Sequence, residues 1–150
     1  MLALAALTGC SKWGASHSKD FKHTGCSAET RASIFYGDEP SLLTLKYEDG
    51  NLRVIRTNAV MSCSIKERGL ACTASIKGDA IYYTVDYERD GYDADCICPV
   101  DELTSIVTGL HEGKEYIFNY CGLDRYLKPF TFTFNKGLHE IIDVETLKNY

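Results

Sequence analysis

Cysteines and one acidic run hold the reactive and ligating side chains of this sequence. Seven cysteines are present. With Cys10 set aside, Cys26, Cys63, Cys72, Cys96, Cys98 and Cys121 form an even set, for which three disulfides are the default expectation in an exported chain. If Cys96-Ile97-Cys98 lies in a strand, both thiols share a face with Cα atoms about 6.6 Å apart, at the limit of disulfide reach. They are expected to bond elsewhere. Two pairings stay open on the residues alone. A hairpin centred on Glu67 and Arg68 would set Cys63 opposite Cys72; alternatively Cys63 crosses to Cys96 or Cys98, and Cys26 and Cys121 close the remainder. Four thiolates from Cys63, Cys72, Cys96 and Cys98 would suit zinc or a softer metal, but no Cys-x-x-Cys pair supports such a site. Redox chemistry at Cys96 and Cys98 lacks the strand-to-helix setting that lowers a thiol pKa.

The acidic run is Asp86-Tyr87-Glu88-Arg89-Asp90-Gly91-Tyr92-Asp93-Ala94-Asp95. Oxygen ligands at alternate positions, with Gly91 at a sharp turn, copy the opening of a calcium loop. A weak calcium site would therefore draw on Asp86, Glu88, Asp90, Asp93 and Asp95. The match ends at Ile97, where the closing bidentate Glu would stand, so the simpler expectation is a solvated hairpin loop. Tyr82, Tyr83, Tyr87 and Tyr92 lie on or near this run, and Tyr116, Tyr120 and Tyr126 on another. Exposed rings beside acids can stack on sugars, which makes a glycan a candidate ligand.

Nucleophilic catalysis needs a Ser or Cys beside a His oriented by a carboxylate. His17 and His23 fall in a polar N-terminal stretch, His111 in a Gly-flanked turn, and His139-Glu140-Ile141-Ile142-Asp143 lacks the second His of a zinc-protease helix. Gly-x-Ser-x-Gly, phosphate-loop and dinucleotide motifs are absent. The expectation is a protein with no catalytic residues, no resident metal and no cofactor.

These side chains must be positioned by a chain whose composition narrows the choices. It has 150 residues, a net charge of −5, 45% apolar residues and 11% aromatics. That length fits one domain able to bury a core, and the negative charge argues against a nucleic-acid partner, whose phosphates need Lys and Arg. No stretch approaches the roughly 20 apolar residues that span a bilayer. Alternation and turn residues dominate, which points to an all-β fold. Strands are expected at Ser33–Tyr36, Leu42–Tyr47, Leu52–Arg56, Val60–Ile65, Cys72–Ile76, Ala80–Tyr87, Leu103–Thr108, Glu115–Tyr120, Phe130–Phe134 and Glu140–Val144. Asp49-Gly50, Arg68-Gly69, Gly78-Asp79, Glu112-Gly113 and Lys136-Gly137 supply turns. Leu43, Leu45 and Tyr47 share one side of their strand, as do Phe130, Phe132 and Phe134, and these stripes read as core. Leu52, Val54 and Arg56 follow the same period less cleanly. The fold expected is an antiparallel β-sandwich, immunoglobulin-like or related, of about 8–10 short strands stapled by disulfides.

The front of the chain carries a processing signal. Met1–Gly9 holds no charge, and Leu7-Thr8-Gly9-Cys10 resembles a bacterial lipobox, in which a diacylglyceryl group is placed on the cysteine and a peptidase cuts before it. Small side chains let an extended backbone enter a narrow enzyme site, and the acyl chains then anchor the protein, each contributing about 0.8 kcal/mol per buried methylene. A full signal peptide opens with a positive segment, so the natural chain is expected to begin further upstream. The expected organisation is a signal remnant over 1–9, a lipidated Cys10 with a flexible tether over 10–25, and one domain over 26–150.

The strings Asp49-Gly50-Asn51-Leu52-Arg53-Val54, Asn58-Ala59-Val60-Met61-Ser62-Cys63, Gly78-Asp79-Ala80-Ile81 and Cys96-Ile97-Cys98-Pro99-Val100-Asp101-Glu102-Leu103 are similar to a group of small secreted lipoproteins from Bacteroidetes. The resemblance covers roughly residues 45 to 120. It implies a β-sandwich in which Cys63 meets the later Cys-x-Cys, which favours the second pairing. Ser62 stands where Asn is common, Glu102 is inserted before Leu103, and Cys26, Cys72 and Cys121 lie outside the shared pattern. The group lends no activity to named residues. Taken together, the sequence leads one to expect a non-catalytic binding or structural lipoprotein of the cell envelope, bound to the outer membrane through its lipid. The absence of acids in Ser11-Lys12-Trp13-Gly14 favours the periplasmic side over the cell surface. A glycan or an envelope protein is the expected partner; calcium binding and thiol-based metal or redox chemistry are the alternatives.

Overall fold

Period-two alternation between Gly-containing turns builds strands along most of the described chain. The computed structural model describes residues 40–148, with the main chain of residues 15–16 and 19–23. Cys10, Trp13, Cys26 and the strand expected at 33–36 lie outside the described residues. The strands are β1 Ala15–Ser16, β2 Lys19–His23, β3 Leu42–Glu48, β4 Asn51–Ser62, β5 Leu70–Lys77, β6 Ala80–Tyr87, β7 Ile97–Val107, β8 Glu115–Cys121, β9 Phe130–Thr133 and β10 His139–Asp143. One sheet has the order β1-β5-β6-β8-β9 and the other β10-β3-β4-β7-β2. This is the all-β sandwich that the alternation predicts.

Three features differ from expectation. The stretch read as a flexible tether contributes two strands, with β1 paired to β5 and β2 to β7; its polar composition hides a register that sets Lys22 opposite Glu102 and Phe21 opposite Leu103. The β6–β8 pairing is parallel, so the first sheet is mixed. A parallel neighbour needs a crossover connection, which the chain supplies by running through β7 in the opposite sheet. Finally, the turn around Glu67 is a single helical turn, α1 Ile65–Arg68, anchored by buried Ile65.

The core is chemically two-sided. The first sheet contributes rings: Tyr83 stacks with Phe118 and Tyr120, and Tyr116 with Phe132, at centroid separations of 5.6, 5.8 and 6.1 Å. The second contributes aliphatic side chains, with Leu43, Leu45, Leu52, Val54 and Leu103 fully buried. Large rings face branched chains between the sheets, and each buried large side chain contributes roughly 1.5–3 kcal/mol. The stripes Leu43/Leu45 and Phe132/Phe134 are core, as their spacing indicates.

The two segments expected as separate strands at 52–56 and 60–65 are one strand, β4, whose buried face changes partway along. Leu52, Val54 and Arg56 are buried, then Ala59 and Met61; on β7 the sequence is Val107, Ser105, Leu103, then Val100 and Cys98. Pairing continues from Thr57↔Glu102 to Ala59↔Val100, so the whole ribbon turns over. Asn58 makes this turn with φ +54°, a left-handed conformation that Asn tolerates better than most residues. Its side-chain Nδ2 donates to Pro40 O at 2.9 Å, and Ser41 Oγ donates to Asn58 O at 2.9 Å. The turned end of the ribbon delivers Cys63 and Cys96 to each other.

Candidate functional site

Cys63 and Cys96 form a disulfide with Cα atoms 5.4 Å apart, and Cys63 N–H donates to Cys96 O at 2.9 Å. The resemblance-based pairing therefore agrees with the structure. The bond fixes the base of the segment running from Glu88 to Asp95, and three side chains from the β4–α1 corner brace the rest. The Ser64 hydroxyl, 2% exposed, accepts Ala94 N–H at 2.7 Å and donates to Tyr92 O at 3.0 Å. Ser62 Oγ donates to Ala94 O at 3.2 Å. Arg68, at the end of α1, donates from Nε to Arg89 O at 3.0 Å and pairs with Asp93 Oδ1 at 2.9 Å. Its guanidinium lies 3.6 Å over the Tyr87 ring, within cation–π range. Gly91 permits this approach, because a Cβ there would meet Arg68 Cδ at 3.1 Å. Burial, with the Asp93 carboxylate nearby, pushes the Tyr87 phenol above its ordinary value.

The loop so held presents Tyr92 with 98% of its surface exposed. Asp90 and Asp95 also face solvent. A loop fixed in advance loses little conformational entropy on contact with a partner, so its aromatic tip is suited to binding.

The acidic run is an exposed loop, as the simpler expectation has it, although it crosses from β6 to β7 in the opposite sheet instead of closing a hairpin. No group of three or more His, Cys, Asp or Glu able to hold a metal occurs among the described residues. Asp86 Oδ1 accepts the Tyr87 N–H and Asp93 turns to Arg68, while Glu88 joins the Gly69 carbonyl through its own N–H at 3.1 Å. Alternation in sequence sets ligand types but not the direction in which each side chain turns. The four-thiolate arrangement is likewise absent: Cys63 and Cys96 are oxidised together, and Cys72, expected in a disulfide, is a buried thiol on β5 that helps to push up the Tyr83 phenol, after burial. Cys98 and Cys121 are disulfide-bonded. Of the tyrosines considered for sugar stacking, Tyr83, Tyr116 and Tyr120 are core, and only Tyr92 and Tyr126 are strongly exposed. His111 is exposed in a turn and His139 opens β10.

A second polar cluster, which the sequence reading missed, lies between the sheets. Arg56 is fully buried on β4 and donates from Nη1 to Leu42 O at 3.0 Å and Thr57 O at 2.9 Å. Its Nη2 meets Asp124 Oδ2 at 2.6 Å, with the two side chains 1% and 3% exposed. Tyr120 OH donates to Asp124 Oδ1 at 3.0 Å. Arg56 Nε is left without a partner. Gly122 is required beneath the cluster, because a Cβ would fall 2.5 Å from Asp124 Oδ1 and 2.6 Å from the Tyr120 hydroxyl. Burial above all, and then the Asp124 charge, pushes the Tyr120 phenol well above 10.0. Nearby, Tyr83 OH meets Ser105 Oγ across the sandwich at 2.5 Å. The two side chains are almost wholly shielded from solvent, so this pair clasps the turn after β8 to the opposite sheet. Its one sequence signal is a charge that keeps the phase of Leu52 and Val54.

With this geometry in hand, comparison with protein families, with curated proteins and with solved structures finds no match.

Proposed function

We propose that this chain is a non-catalytic binding module of the bacterial cell envelope, held at the periplasmic side of the outer membrane by acyl chains on Cys10. The address rests on the Leu7-Thr8-Gly9-Cys10 motif and on the Cys63–Cys96 disulfide, a bond typical of oxidising compartments. Five residue steps separate Cys10 from Ala15, a span of at most roughly 18 Å, so β1 would sit close to the membrane surface. Expression with Cys10→Ser should move the protein from the membrane fraction to the soluble periplasmic fraction. Retention of the variant in membranes would remove the anchor.

One observation supports the binding role: Tyr92 is 98% exposed on a loop whose main chain is fixed by Ser62, Ser64, Arg68 and the disulfide. An exposed ring on a braced loop suits the apolar face of a sugar, with the carboxylates of Asp90 and Asp95 available to its hydroxyls. An envelope glycan is the reading this geometry favours over an envelope protein. Binding of the intact chain to an array of envelope oligosaccharides should be lost in Tyr92→Ala with its melting temperature unchanged. A wild-type chain that binds no glycan, or a Tyr92→Ala chain that binds equally well, removes the glycan reading.

A further inference from the structure

The strand β10 is the outer strand of the second sheet, and Ile141 at its centre is 61% exposed. Its hydrogen bonding shows which groups look outward. Tyr47 N–H donates to Leu138 O at 3.0 Å and Val144 N–H donates to Ser41 O at 2.9 Å. In an antiparallel ladder these bonds alternate, so residues 138, 140, 142 and 144 direct their main-chain groups to β3. His139, Ile141 and Asp143 direct theirs away from the sheet. Edges of this kind are templates for another strand, and proteins blunt them with charged side chains, Lys above all, with Pro or with short length. The opposite sheet does so at β9, which has four residues and follows Lys128-Pro129. The five residues of β10 contain neither Lys nor Pro.

From this edge we infer that β10 pairs with β10 of a second copy of the chain, antiparallel, with the two-fold axis at Ile141. That register is the one in which every outward-facing residue meets another: Ile141 meets Ile141, and His139 meets Asp143 of the other copy. An imidazole N–H then faces a carboxylate on each side of the axis. Charge supports the same direction, because Lys136 and His139 stand at the start of the edge and Asp143 closes it; Glu145 beyond it is already paired with Arg125 and Lys148. Antiparallel apposition brings unlike ends together, whereas parallel apposition would bring like ends together. Glu140 lies opposite Ile142, so no two like charges are paired directly. The ladder stops at Asp143, whose carbonyl accepts the Thr146 hydroxyl at 2.6 Å. Two five-residue strands make a contact at the small, transient end of protein interfaces, so the association is weak in dilute solution.

Sedimentation equilibrium of the full chain, up to roughly 1 mM, should show reversible monomer–dimer exchange. Hydrogen exchange at the same concentrations should slow at the Ile141 amide when the dimer forms. Ile141→Lys should be monomeric throughout with an unchanged melting temperature. His139→Asp, which sets like charges together twice per dimer, should raise the dissociation constant roughly tenfold, while His139→Lys should preserve or tighten the dimer. A wild-type chain that is monomeric over the whole range overturns the inference. So does a dimer that survives Ile141→Lys, or one that is indifferent to His139→Asp.

Discussion

The molecule uses the same trio of residue types twice, once inside and once outside. Arg56, Asp124 and Tyr120 clasp the two sheets together; Arg68, Asp93 and Tyr87 clasp the Glu88–Asp95 loop to α1. Their ion-pair distances are close, 2.6 and 2.9 Å. Their surroundings are not, since the Asp124 side chain is 3% exposed and that of Asp93 is 72% exposed. Removing one partner inside leaves a charge stranded in a medium that solvates it poorly, whereas water replaces a lost partner outside. The lesson is that burial, not residue chemistry, decides which trio the fold depends on. The outer trio holds the loop in place at a smaller cost if one member is lost.

The largest break in this comparison is Asp124→Ala. It should destabilise the protein by about 3–5 kcal/mol, read as a lower urea midpoint with the disulfides intact, because the buried Arg56 then has no counter-charge. Gly122→Ala should follow, at roughly 1–3 kcal/mol, since the added methyl displaces the Tyr120 hydroxyl and the Asp124 carboxylate while leaving both charges present. Alkaline titration sharpens the contrast by another route. Tyr83 and Tyr120 are held neutral by burial, with pKa values well above the ordinary 10.0. Their contribution is fully present below about pH 10 and is lost as pH rises beyond it, because the unfolded chain releases those protons first. Each adds a slope of at most about 1.4 kcal/mol per pH unit, and urea melts of Tyr83→Phe should show a shallower alkaline loss than wild type. The smallest effect belongs to Asp93→Ala, under about 1 kcal/mol and weaker still in high salt. A loss there comparable to Asp124→Ala would contradict the comparison.

Much of the fold could be read from the sequence because its signals are local. Asp49 and Gly50 both take positive φ, 49° and 81°, as a two-residue hairpin demands, and the Phe132/Phe134 stripe faces the core as its spacing requires. What escaped depends on contacts made far along the chain. Arg56 and Asp124 are separated by 68 positions, and nothing near either residue announces the other. The ribbon's change of face at Asn58 needs a matching change in β7, so one strand's pattern looks like two short strands. The braced loop was visible only as an acidic run, because Ser62, Ser64 and Arg68 lie on a different corner of the fold. Its calcium-like alternation yields no metal-holding cluster among the described residues, because side-chain direction is set by those distant partners.

The account as a whole turns on an exported chain fastened to a membrane. Intact-mass spectrometry of the protein taken from its native cells tests that most directly, because it reports the N-terminus and the cysteines in one spectrum. The predicted result is a chain starting at Cys10 that carries acyl groups and a Cys63–Cys96 disulfide. An unacylated chain with Cys63 and Cys96 reduced would contradict it.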